Sequence, residues 1–84
     1  MSIEEKVKAI LYDLSGDENI ANEASLQKDL ALDSLAMVML LIKIEDIFEI
    51  QLDESDMNPF DLTTVQEIID MVSKYRGFAD EYFY

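Results

Sequence analysis

Apolar residues recur at helical spacing in three stretches of the chain, and no stretch alternates in the manner of a strand. Ser2-Ile3-Glu4-Glu5 has the form of a capping box, in which a serine hydroxyl accepts from a backbone N–H three residues on. Ile3, Val7, Ile10, Leu11 and Leu14 follow, and Gly16 offers a left-handed stop, so the first helix is expected over residues 3–14. A second begins at Asp33-Ser34-Leu35, where either polar residue can cap, and runs to about residue 49 without Gly or Pro. Its expected buried face is Leu40, Leu41, Ile44, Ile47 and Phe48; Ala36, Met37 and Met39 make its first half apolar almost all round. Thr64-Val65-Gln66-Glu67 repeats the capping-box pattern, and Val65, Ile68, Ile69 and Val72 predict a last helix over 64–76, closed by Lys74, Arg76 and Gly77.

Between these helices lie two irregular stretches. From Ser15 to Leu32 the period fades, yet Ile20, Leu26, Leu30 and Leu32 are spaced to anchor a long loop in a core, and loops of that length tend to be functional. Gln51 to Leu62 holds the only proline, Pro59, with Asp53, Glu54, Asp56 and Asp61, and leaves room for one short helix. The expected fold is all-α, a small bundle of three main helices plus one short helix. Residues 1–77 form its domain, and residues 78–84 are an aromatic tail: Tyr75, Phe78, Tyr82, Phe83 and Tyr84 crowd the last ten positions.

Composition narrows the chemistry. The chain has 84 residues, with 19 acidic against 6 basic side chains and a net charge of −13. Phosphate backbones and anionic lipid would be repelled, so neither nucleic acid nor membrane is an expected partner, and a basic protein surface is. Half the residues are hydrophobic, which is too many for a disordered acidic tail. There is no Cys and no His, hence no thiolate nucleophile, imidazole base or ligand of either type. The longest apolar run, Leu35 to Ile42, has eight residues where a membrane span needs about 20. A soluble, cytoplasmic monomer without catalytic activity of its own is expected. Asp53, Glu54, Asp56 and Asp61 lack the glycine and final glutamate of a calcium loop, so no metal site is expected there.

One hydroxyl sits where structure and chemistry coincide. Ser34 stands at a helix start, where unpaired N–H groups and the positive dipole end favour an attached phosphate. Position alone leaves open whether Ser34 or Asp33 is simply an N-cap.

Asp29-Leu30-Ala31-Leu32-Asp33-Ser34-Leu35, followed by Val38, Leu40, Glu45, Phe48 and later Thr63-Thr64-Val65, resembles the acyl carrier protein family over nearly the whole chain. The resemblance implies a 4′-phosphopantetheine arm, donated by coenzyme A, on Ser34. It implies that Asp33 helps to hold a divalent metal while a holo-carrier-protein synthase (a phosphopantetheinyl transferase) attaches the arm. Acyl intermediates would ride on the arm's thiol as thioesters for fatty-acid or specialised polyketide or lipid synthesis, and acyl-transferring and condensing enzymes with basic docking patches would be the further partners. The partner-facing residues implied are Leu35, Ala36, Met37, Met39, Ile42, Glu45, Asp46 and Glu49. The alternatives are a peptidyl or aminoacyl carrier and an acidic helical interaction module with no prosthetic group. This chain departs from the family's pattern in two places: Ala31 stands where the family usually has Gly, and Ala36 and Met39 stand where it usually has acidic residues.

Nineteen carboxylates on so small a surface repel one another, and salt shortens that repulsion to about 10 Å at 0.1 M. The melting temperature should therefore rise between very low salt and about 0.2 M sodium chloride, and a flat profile would show that the folded state does not feel the repulsion.

Overall fold

A computed structural model describes residues 2–53, 56 and 62–82, with the side chains of residues 76–82 outside the description. Three helices form among the described residues: α1 (Ile3–Ser15), α2 (Ser34–Phe48) and α3 (Val65–Tyr82). The expected all-α bundle is present; the short additional helix expected between Gln51 and Leu62 falls largely outside the described residues.

Each helix begins as its local residues dictate. The Ser2 hydroxyl accepts from the Glu5 backbone N–H at 3.1 Å and opens α1. Gly16 closes it at φ +81°, in the left-handed region that a Cβ disfavours, with its N–H donating to the Tyr12 carbonyl at 2.8 Å. At α3 the Thr64 hydroxyl accepts from Glu67 N–H at 3.3 Å, while the Glu67 carboxylate reaches back one residue further than a simple capping box, to Thr63 N–H at 2.9 Å. This helix continues through Gly77 to Tyr82, past the expected end at residue 76. An isolated glycine costs a helix only about 1 kcal/mol, too little to stop one.

The core is built from one stripe per helix. Val7, Ile10 and Leu11 come from α1, and Val65, Ile68, Ile69, Met71 and Val72 from α3, all buried. From α2 the buried set is Met37, Leu40, Leu41, Ile44 and Phe48, which corrects the expected face in two positions: Ile47 is 46% exposed and Met37 is fully buried. At 3.6 residues per turn, positions 37, 40, 41, 44 and 48 form a single narrow stripe, and 47 falls on the flank of the helix.

The loop between α1 and α2 is pinned as its apolar residues suggest, with Ile20, Leu26, Leu30 and Leu32 all buried. Its backbone is held by an isolated antiparallel bridge between Ser25 and Thr64. Leu26 N–H donates to the Thr63 carbonyl at 2.9 Å, Val65 N–H to Ala24 at 3.1 Å and Gln66 N–H to Asn22 at 2.8 Å. The Asn22 amide adds a bond to Gln66 Oε1 at 2.9 Å, and with Lys8 it holds the Glu4 carboxyl below its ordinary range. A tight turn follows, in which Ser25 Oγ accepts from Lys28 N–H and Asp29 Oδ2 accepts from Ser25 N–H. No helix among the described residues is long and apolar enough to cross a membrane.

Tyr75 fastens the acidic segment after α2 to α3. Its hydroxyl donates to Asp56 Oδ2 and accepts from Asp53 N–H at 3.0 Å, and Lys74 pairs with Asp56 at 3.4 Å. The Tyr75 hydrogen bond, with the Lys74 charge beside it, lowers the Asp56 pKa; burial, then the bond to Asp56, raises that of Tyr75. A lowered carboxyl pKa stabilises the fold above the ordinary value near about 4 and loses that contribution as the pH falls through the folded value. A raised phenol pKa stabilises below about 10 and loses its contribution as the pH rises further. Tyr75→Phe should cost about 0.5–1.5 kcal/mol at neutral pH, with the deficit shrinking below about pH 4 and again above about pH 10. Thermal melts of both proteins across pH measure it, and a deficit constant from acid to neutral pH would mean that Tyr75 acts by packing alone.

Candidate functional site

The chain enters α2 through Ala31-Leu32-Asp33, and that entry decides what Ser34 can do. Leu32 is buried and its N–H donates to the Leu26 carbonyl at 3.0 Å, so the strand of chain just before the helix is tied to the pinned loop. Ala31 turns the backbone at φ +54°, a left-handed conformation. Asp33 then lies extended and is the N-cap: its Oδ1 accepts from Ala36 N–H at 2.8 Å and its carbonyl from Met37 N–H at 2.9 Å. The choice that position alone left open is settled in favour of Asp33.

Ser34 is therefore the first helical residue, exposed and relieved of capping duty. Three other serines are engaged: Ser2 and Ser25 accept backbone N–H groups, and Ser15 donates to the Leu11 carbonyl at 2.8 Å. The N–H groups at the first positions of a helix have no intrahelical acceptor, and with the dipole they form a field favourable to a phosphodiester on the neighbouring oxygen. α1 has Glu4 and Glu5 in its first turn and α3 has Glu67, whereas α2 has no acidic residue there. Beyond the cap, nothing in that turn competes with an added anion. A long arm on Ser34 would meet solvent rather than packed side chains, and the second carboxylate oxygen of Asp33 remains for a metal ion, so the residues fit the group that the resemblance implies.

The other expected site residues divide into three sets. Leu35 is 69% exposed, Ile42 54% and Met39 43%, forming an apolar ridge that starts beside Ser34. Asp46 and Glu49 are exposed further along the same side. Ala36 is half-buried against the core. Met37 does not belong with them: it points into the core, 100° round the helix from either neighbour, and is unavailable to a partner. Glu45 has an internal task, since its Oε2 accepts from Leu52 N–H at 2.9 Å and holds the chain as it leaves α2. Val38, 41% exposed, joins the ridge without having been expected there; its spacing of three from Leu35 and four from Ile42 was the available signal. Of the acidic residues after α2, Asp53 and Asp56 serve the Tyr75 contact, and Glu54 and Asp61 lie outside the described residues.

A family model described as phosphopantetheine attachment site matches residues 3–72, which takes in all of α1 and α2, the pinned loop and the buried part of α3. Domains of this family bear a 4′-phosphopantetheine group and act as carriers rather than catalysts, served by phosphopantetheinyl transferases and other enzymes.

Alanine at a left-handed position costs about 1–2 kcal/mol, because its Cβ crowds the following carbonyl. Glycine at 31 would remove that strain while loosening the unfolded chain by about 0.4–1 kcal/mol. Ala31→Gly should thus gain about 0.5 kcal/mol and raise the melting temperature by about 2–4 °C. A lower melting temperature would show that the Ala31 methyl makes a contact worth more than the strain.

Proposed function

The chain belongs to the phosphopantetheine attachment-site family, and we propose that it is an acyl carrier protein whose arm is attached at Ser34. The observation that carries this reading is the division of labour at the start of α2: Asp33 caps the helix and leaves the neighbouring hydroxyl exposed at the positive end of the dipole.

In the loading reaction the Ser34 oxygen forms the new bond to the β-phosphorus of coenzyme A. The pyrophosphate P–O bond breaks, adenosine 3′,5′-bisphosphate leaves, and the hydroxyl proton passes to a base of the transferase. The chain has no His or Cys to serve as that base, so activation of the hydroxyl falls to the enzyme. Asp33 would offer its uncapped oxygen to the transferase's metal ion, and the first-turn N–H groups would stabilise the phosphodiester. Once attached, the arm supplies the thiol that holds acyl groups as thioesters, a function that a chain without cysteine takes wholly from its prosthetic group. The protein is then a substrate and shuttle for partner enzymes. The Leu32-Asp33-Ser34-Leu35 sequence favours acyl over peptidyl cargo, and the apolar residues at 36 and 39 favour a specialised polyketide or lipid pathway over housekeeping fatty-acid synthesis.

Incubation with coenzyme A and a phosphopantetheinyl transferase should add one phosphopantetheine to the intact mass. Ser34→Ala should fold with stability within about 0.5 kcal/mol of the parent, since the cap is retained, and should not be loaded. Loading of that variant, or attachment at Ser25, would sink the assignment; an unloaded parent would favour an interaction module without a prosthetic group.

A further inference from the structure

The bridge between Ser25 and Thr64 is made by the backbone groups on either side of them: Leu26 N–H donates to the Thr63 carbonyl and Val65 N–H to that of Ala24. Ser25 and Thr64 are thus a non-hydrogen-bonded pair, and the bridge leaves the Ser25 N–H over. Asp29 takes that donor. Its Oδ2 accepts from Ser25 N–H at 2.7 Å, the short distance of a bond to a charged acceptor. In return Ser25 Oγ accepts from Lys28 N–H at 3.1 Å, and the Ser25 carbonyl accepts from Asp29 and Leu30 N–H at 3.0 and 3.1 Å. The turn is closed from both ends, and Leu26, whose carbonyl receives Leu32 N–H at 3.0 Å, lies inside it.

From Asp29 the chain runs through buried Leu30, left-handed Ala31 and buried Leu32 to the Asp33 cap, so the placing of Ser34 depends on that turn staying shut. Among these ties the one at Asp29 is made by an exposed side chain that has no core packing to perform. Resting on the carrier reading above, we propose that Asp29 is a positioning residue for the loading of Ser34. Its carboxylate holds the Ser25–Leu30 turn closed, and through Leu32 and Asp33 the turn sets where the Ser34 oxygen stands when the transferase presents the β-phosphorus of coenzyme A. Asp29 touches neither the phosphorus nor the enzyme. In-line attack depends on close placement, and a misplacement of about 1 Å caused by a distant change costs about 10²-fold in rate. The effect of Asp29 therefore falls on turnover of the bound carrier and not on its binding.

The test is steady-state loading of the full chain by a phosphopantetheinyl transferase, with coenzyme A in excess and circular dichroism confirming the fold. Asp29→Ala removes the acceptor and should lower kcat by about tenfold, with the KM for the carrier within about twofold of the parent. Asp29→Asn loses the charge but keeps an oxygen in the same place, and should load within about twofold of the parent. Asp29→Glu keeps the charge on a longer stem that displaces the acceptor, and should lose about threefold in kcat. Hydrogen exchange at the Leu32 amide should quicken by about tenfold in Asp29→Ala and stay unchanged in Asp29→Asn. Ser2→Ala, which removes the α1 cap instead, should lower the melting temperature yet load like the parent. A normal kcat in Asp29→Ala overturns the inference. The reverse order, Asn impaired and Glu normal, would make Asp29 a charge read by the transferase and overturns it too, as does an equal loss in Ser2→Ala, which would make the effect one of overall stability. A parent that is not loaded removes the carrier reading and this inference with it, whereas a loaded parent whose variants miss these outcomes removes this inference alone.

Discussion

The entry to α2 depends on a few backbone hydrogen bonds made far away in sequence. Ser25 and Thr64 bridge, Leu26 is sealed beneath them, and the turn from Ser25 to Leu30 hands the chain to Leu32, which donates back to Leu26. Only then do Ala31 and Asp33 adopt the geometry that starts α2 at Ser34. An 18-residue connection without helix or sheet of its own would ordinarily leave its end loosely placed. Here buried side chains at four positions and bonds to the start of α3 remove that freedom, so the exposed Ser34 rests on a rigid support.

This arrangement lets so small a domain hold an exposed serine in a fixed place at a helix start. A domain of this size buries only about 60–65% of its unfolded surface, and its interior is used up by the helix stripes and the loop anchors. The Ser34 hydroxyl, the proposed attachment point, sits outside, at a helix end, where the backbone contributes the electrostatics that a larger protein would build from side chains in a cleft. The left-handed backbone at Ala31 and at Glu49 marks the two ends of α2, where the chain turns sharply into and out of the helix.

α2 has to satisfy two surfaces at once. Its inner stripe holds α1 and α3 together, and its outer ridge stays apolar next to Ser34, although leaving Leu35 and Ile42 in water contributes nothing to folding. A ridge of this kind has the character of an interaction surface, since isolated exposed apolar residues are common but aligned ones are not. The net charge of −13 opposes the close approach of two copies through that ridge.

Much of this was readable along the chain because it is local. The helix caps at Ser2 and Thr64, the Gly16 stop, the loop anchors and the prominence of Ser34 each follow from residues within a few positions of one another, where spacing and side-chain chemistry act directly. What spacing could not supply were decisions between near neighbours. Asp33 and Ser34 are equally good caps in isolation, and the extended backbone at 33, imposed by the pinned loop, selects the aspartate. Met37 and Met39 are both apolar helical residues, and only the direction from which α1 and α3 pack sends one into the core and leaves the other on the ridge. Glu45 reads as a surface acid until the chain folds back and brings Leu52 N–H to it. Local sequence sets which elements form and where they begin; which of two adjacent side chains faces inward depends on contacts between segments tens of residues apart, and those exist only once the bundle has closed.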